Sequence, residues 1–431
     1  VIEKFENEIV KPLLQRYHLI LRLICYLQLR LNQMMKAINF YKPGLCTLLF
    51  SIFFFLPAKG QVTTLKIELH NNQLWINAGL KGTTTDSLKF LFDSGAATSV
   101  LDSAVAAKIF PDGAFKEAKA MGASGNSAAR RLENESVYLN GLELDNINFL
   151  ITDLSRFASR FGRKADGIIG YDLLKKYVTR IDIDHKTLSI YRDIKDINAE
   201  KGKPIAFDFG SELKYFPKLM GSFTTQAGQS YSGYFIFDSG AGLTALLNTP
   251  FVNENQLLSQ SGKVSHLKAE GLTNTSDNYV ARITSFSFNG ETFKDLPISM
   301  SQTTAGVNSM KGYAGLIGNK LLFRYNLIFD YKHKTIYFQP NSYYSSKFEF
   351  PLCGFMLKLR DGNIYIDYIM PDSPEEGQGL EAGDQLITVN GKTGLTIEEI
   401  RELLKHEGKI TLNVKQKSGN KEFVIDLYPR I

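Results

Sequence analysis

The chain is 431 residues long, 44% hydrophobic and 22% charged. That is the composition of a globular protein of two or three domains, not of a disordered one. Its formal charge of +6 is spread without a Lys/Arg block able to follow a phosphate backbone, so nucleic acid is not an expected partner. The six histidines are scattered with no H-x-x-x-H pair, so no metal or other cofactor is expected.

In chain order, the first feature is a leader. A short basic stretch from Met35-Lys36 to Lys42 precedes the apolar run Leu45–Leu56, and Ala58-Lys59-Gly60 follows with small residues where a signal peptidase reads. The run is shorter than the ~20 residues needed to span a bilayer. It predicts a cleaved signal peptide over 34–60, starting at Met34 or Met35, and a periplasmic or secreted product. Residues 1–33 then read as an upstream extension from a mis-assigned start. The other reading is an uncleaved leader, the one route by which a membrane would be a partner. Cys25 and Cys46 lie in this region, so only Cys353 remains beyond it and no internal disulfide is expected there.

Beyond the leader the chain repeats itself. Phe90-Leu91-Phe92-Asp93-Ser94-Gly95-Ala96 recurs as Phe235-Ile236-Phe237-Asp238-Ser239-Gly240-Ala241. Lys119–Gly122 recurs as Lys268–Gly271, and Asn140-Gly141 as Asn289-Gly290. Gly167-Ile168-Ile169-Gly170 returns as Gly315-Leu316-Ile317-Gly318, and Asp182 with His185-Lys186-Thr187 as Asp330 with His333-Lys334-Thr335. Five matches in one order predict two homologous lobes, over 61–200 and 201–340, with Arg192–Pro204 as linker. Each lobe reads as β. Leu65, Ile67 and Leu69 alternate with polar residues, and Val137–Leu139 and Phe286–Phe288 each run into an Asn-Gly hairpin signal. Only Tyr171–Tyr177 and Asn319–Tyr325 read as helical turns.

Each lobe therefore presents one aspartate, Asp93 or Asp238, at the end of an apolar strand. Two such carboxyls meeting across a pseudo-twofold axis cannot both ionise cheaply and would share a proton. One then acts as general base on a water while the other polarises a carbonyl. Gly95 and Gly240 let the backbone turn and donate N–H groups to the carboxylates, and Ser94 and Ser239 tie the two loops together across the axis. No Gly-x-Ser-x-Gly elbow, phosphate-binding loop or dinucleotide fingerprint competes with this reading.

These motifs resemble the aspartic peptidases: apolar-apolar-Asp-Ser-Gly-Ala twice, and apolar-apolar-Gly ending at Gly170 and Gly318. The segment Ile169–Leu174 is similar to the retropepsin-like branch. The resemblance covers about 280 residues. It implies a mainly β protein of two closed lobes with a cleft between them, an Asp93/Asp238 dyad, Gly170 and Gly318 beneath the aspartate loops, and polypeptide substrates. A glycine-containing turn occurs in both lobes, near Gly122–Gly125 and Gly271–Thr275, neither with the flap tyrosine of pepsin-type chains, so the flap residues stay open. Ala96 and Ala241 replace the hydroxyl residue common there, which predicts a mildly acidic to near-neutral optimum.

The last unit, 348–431, resembles a PDZ domain. Its marks are Leu352-Cys353-Gly354-Phe355, the strand-like Met356–Leu359, and Gly383-Asp384-Gln385-Leu386-Ile387-Thr388-Val389-Asn390-Gly391. Thr396–His406 reads as an amphipathic helix. The resemblance implies a groove for peptide C-termini or extended segments, with Cys353, Gly354, Phe355 and Met356 at its mouth. Core packing of Phe355 and Met356 is the equal alternative. Two further readings of the whole chain remain: a non-catalytic peptide-binding protein and a membrane-tethered scaffold.

Overall fold

The computed structural model describes residues 60–83, 87–210, 213–271 and 274–431. The leader expectations fall outside them. The protein is mainly β, and its strands form sheets of thirteen, seven and five among the described residues.

The duplication holds at the level of topology. In the first lobe the strands lie in the order Gln73–Ala78, Leu88–Phe92, Gly167–Ile169, Val100–Asp102, Leu142–Thr152, Gly125–Leu139, Lys116–Gly122. In the second they lie in the same order: Lys218–Thr224, Ser230–Phe237, Gly315–Ile317, Ala245–Leu247, Glu291–Ser301, Thr275–Phe288, Val264–Glu270. In both, the strand that ends at the aspartate pairs in parallel with the Gly-x-Ile strand, Phe92 opposite Ile169 and Phe237 opposite Ile317. The expected hairpins form at Asn140-Gly141 and Asn289-Gly290, all four residues at positive φ, as a tight two-residue hairpin turn requires. The repeated Asp/His motifs also acquire a purpose. Asp182 and Asp330 accept from the backbone N–H groups of His185 and His333 and contact their Nδ1 atoms, capping two equivalent turns whose Lys186 and Lys334 are left-handed.

The lobes are joined through the sheet itself. Val178–Asp182 pairs with Tyr325–Asp330, Ile181 opposite Leu327. Directly behind the aspartates, Phe92 and Phe237 pack on the same ring, Phe329, at centroid distances of 6.1 and 6.0 Å. All three are fully buried, and each such side chain stabilises the fold by about 1.5–3 kcal/mol. Arg192–Pro204, expected as a linker, contains a capped 3-10 turn at Ile194–Asp196 and runs into strand Lys203–Ala206. Pro204 fits there because that strand is the edge of its sheet.

In the C-terminal unit, Phe355–Arg360 is the edge strand of the five-stranded sheet. The expected helix is shorter than its apolar pattern, Ile397–Leu403, opened by a Thr396/Glu399 capping box. A helix of the first lobe that the sequence pattern did not suggest, Ser155–Phe161, packs against Phe355–Arg360. No helix of the described residues is long and apolar enough to cross a membrane.

Candidate active site

The two Asp-Ser-Gly loops interlock. Ser94 N–H donates to Ser239 Oγ at 2.8 Å, and Ser239 N–H to Ser94 Oγ at 3.0 Å. Each hydroxyl also reaches across to the opposite strand, Ser94 Oγ to the Phe237 carbonyl at 2.9 Å and Ser239 Oγ to the Phe92 carbonyl at 3.4 Å. Both serines are buried, so this lacing is shielded from water and sets the spacing of the loops.

The flanking glycines are there because nothing larger fits. A Cβ on Gly95 would lie 2.5 Å from Asp238 Oδ1, and one on Gly240 would overlap the Asp93 carboxyl. Their N–H groups donate to the carboxylate of their own loop, Gly95 to Asp93 Oδ1 at 2.7 Å and Gly240 to Asp238 Oδ1 at 2.8 Å. Gly170 and Gly318 pack against the backbone of the loops. A Cβ on Gly170 would overlap the Asp93 carbonyl oxygen, and one on Gly318 the carbonyls of Ala241 and Leu243.

The carboxyls are unequal. Burial first, and then the charge of Asp238, hold Asp93 well above the ordinary carboxylate range, although the Gly95 and Gly240 N–H groups pull the other way. Asp238 is raised less, because the burial that lifts it is opposed by Gly240, by a hydrogen bond from Asp93 and by Ala241. Burial and mutual repulsion therefore push the pair toward its protonated form, as a property of both groups together. Asp93 and Asp238 are half-buried, so their outer faces remain open.

Two supports carried no sequence signal. Gln73 Nε2, from the first lobe, donates to the Gly240 carbonyl at 2.9 Å. Asn319 Nδ2, buried, donates to the Ser239 carbonyl at 2.7 Å and the Asn72 carbonyl at 2.8 Å. In the first lobe the equivalent brace differs: buried Asp172 accepts from the Ser99 N–H and hydroxyl at 2.9 and 2.8 Å. The turn-bearing hairpins of the two lobes touch each other. The tip of Lys116–Leu139 meets that of Val264–Phe288, with Ser124 Oγ donating to the Asn274 carbonyl at 3.0 Å. Among the described residues no cluster of His, Cys, Asp and Glu could hold a metal ion.

In the C-terminal unit the expected groove residues divide. Cys353, Phe355 and Met356 all line a cavity of about 1230 Å³, but Met356 is half-buried whereas Phe355 is 3% exposed and belongs to the core. Cys353 is buried, its thiol pushed up to about 12 by burial, and is therefore unreactive. The Gly354 N–H donates to the buried Glu375 at 3.0 Å, and Glu375 is paired with Arg430 at 2.6 Å.

Comparison with known proteins agrees with this architecture. Residues 75–173 match the family described as aspartyl protease, and residues 351–415 match the PDZ domain. The chain thus carries an aspartyl protease domain followed by a PDZ domain. Among curated proteins it is similar to serine protease HTRA1 of Xenopus laevis, 38% identical over 66 residues. Serine protease HTRA3 of Rattus norvegicus is 28% identical over 68 residues. These matches take in 15–16% of this chain and 14% of each relative's length. Among solved structures, an aspartic proteinase from Irpex lacteus aligns over 66% of this chain and 98% of its own, at 12% identity and a TM-score of 0.42.

Proposed function

We propose that the protein is an aspartic endopeptidase in which Asp93 and Asp238 act as one unit. The reading is carried by one observation: two half-buried carboxyls, both raised above the ordinary carboxylate range, held on loops laced through Ser94 and Ser239. Ionised Asp238 takes a proton from a water whose oxygen bonds to the scissile carbonyl carbon. Protonated Asp93 donates to the carbonyl oxygen as it gains charge. Collapse of the tetrahedral species breaks the C–N bond: Asp238 gives its newly gained proton to the leaving nitrogen, and one hydroxyl of the tetrahedral species returns a proton to Asp93 as the carboxyl product forms. A substrate chain lying between the lobes is enclosed by the aspartate loops on one side and the meeting hairpin tips on the other.

The PDZ unit recruits or positions that chain by strand addition to Phe355–Arg360. Because the Gly354 N–H is already committed to Glu375, an extended segment suits the groove better than a free carboxyl terminus. Helix Ser155–Phe161 lies against the strand, so an entering segment competes with it. Export to the periplasm or medium is proposed from the leader alone, and N-terminal sequencing of exported protein tests it: retention of residues 1–33 sinks it.

The HTRA matches span too little of those enzymes to move the reading to serine chemistry, and the two His–Asp pairs, one in each repeat, cap turns. The test is cleavage of a peptide library across pH by the purified protein and by Asp93→Asn. Cleavage that survives in the variant overturns the assignment.

A further inference from the structure

The two facing hairpins are built alike but held differently. In the second lobe the outer strand, Val264–Glu270, is the last in its sheet and pairs only with Thr275–Phe288. Its outward support comes from the PDZ unit. His266 Nδ1 lies 2.6 Å from the Tyr368 hydroxyl, and the two rings meet edge-on at 6.0 Å. The other ring nitrogen, Nε2, lies 3.1 Å from Asp277 Oδ1 on the neighbouring strand. A carboxylate only accepts, so a neutral ring carries its proton on Nε2 and Nδ1 accepts from the tyrosine. Burial holds the Tyr368 phenol at about 12, which keeps it a donor. The Lys268 ammonium lies 5.5 Å over the Tyr368 ring, and Ser265 Oγ donates to the Arg430 carbonyl at 3.4 Å. Tyr368 stands opposite Met356 in the PDZ sheet, next to the groove mouth.

We propose that Tyr368 is a positioning residue of the peptidase: through His266 it holds the second-lobe hairpin in its tip-to-tip contact with the first, making the PDZ unit part of the closure over substrate. The kinetic part rests on the dyad reading; the structural part does not. No distance need change at Asp93 or Asp238. A looser hairpin encloses substrate less often, which raises KM before it lowers kcat.

The experiment is Tyr368→Phe in the full chain, which keeps the ring and removes the hydroxyl. Amide hydrogen exchange without substrate should speed up about fivefold over 264–270, the worth of one net hydrogen bond, and stay unchanged over Tyr325–Asp330. KM for a library-derived peptide should rise by about the same factor, with kcat within about twofold. His266→Phe, which also gives up the Asp277 contact, should do at least as much, and the double variant no more than His266→Phe alone. Unchanged exchange over 264–270 in both single variants overturns the proposal, as does a double variant in which the two effects multiply. Faster exchange without any cleavage in the parent protein supports the latch and sinks the dyad reading instead.

Discussion

The second lobe closes on itself with a ladder: Lys218–Thr224 pairs with Ser230–Phe237 on one side and, from Gly221 opposite Phe288 to Thr224 opposite Ser285, with Thr275–Phe288 on the other. The first lobe closes through a single bridge, Gly79 with Tyr138, made by two backbone hydrogen bonds of 2.9 Å. Their loops are braced differently too, by Asp172 and Ser99 in one and by Asn319 in the other. Besides their common strand order, the lobes keep one set of contacts where they meet: the Ser94/Ser239 lacing, the paired glycines and the common Phe329 ring. Symmetry has been kept where two carboxyls must face each other, and supports that only hold a loop have diverged. Burial raises both Asp93 and Asp238, as the matching placement of the two loops leads one to expect.

The strongest way to break this comparison is at the dyad. Asp93→Asn and Asp238→Asn should each lower kcat/KM by about 10³-fold or more, and the double variant should be no worse, because the pair acts as one unit. Substantial turnover in either single variant means the lobes are not equal partners. Next come the supporting glycines. Gly170→Ala and Gly318→Ala should each cost about 3 kcal/mol in urea denaturation, since both place a methyl group on backbone carbonyls that cannot move aside. An ordinary surface-like cost at either site would show that its loop is free to shift.

The braces offer a finer test. Asn319→Ala should cost about 2 kcal/mol, because it strands the Ser239 and Asn72 carbonyls. Ser99→Ala should cost about 1 kcal/mol, because its backbone N–H still reaches Asp172. The reverse order in denaturant midpoints would mean that the first lobe depends more on its brace.

The smallest effects concern pH. Asp93 is raised in the folded state, so its contribution to stability is complete below the unfolded carboxylate value of about 3.9 and is lost as pH rises through the higher folded value. Parent and Asp93→Asn stabilities measured across pH should therefore diverge over that window and run parallel elsewhere. Activity should peak in mildly acidic to near-neutral conditions, and Ala96→Thr or Ala241→Thr should move the peak downward by offering the ionised pair a hydroxyl donor. A peak near pH ~2, on the pepsin-like side, counts against the retained proton.

What was readable in advance was local. Asp-Ser-Gly, Gly-x-Ile-Gly, Asn-Gly and the Asp/His-Lys-Thr turns each need a few residues in a row with special backbone freedom or turn chemistry, and each occurs twice. The PDZ segment likewise announces itself in one run, Gly383–Gly391. Gln73 on Gly240, Asn319 on Asn72, Glu375 with Arg430 and His266 with Tyr368 were not readable, since these partners are far apart in the chain and nothing local marks them. Helix Ser155–Phe161 escaped for a related reason: it is short, lacks a side-chain cap, and packs against another module.

The amino-acid order by itself determined that there are two lobes, one aspartate in each, and a PDZ module after them, because hydrophobic period, turn chemistry and repetition are properties of neighbours. The tertiary structure alone decided how the loops lace together, that both carboxyls are raised, and that His266 meets Tyr368. Those outcomes depend on burial and on charges and hydrogen bonds brought within about 3 Å from distant parts of the chain, where the low local dielectric makes each of them count.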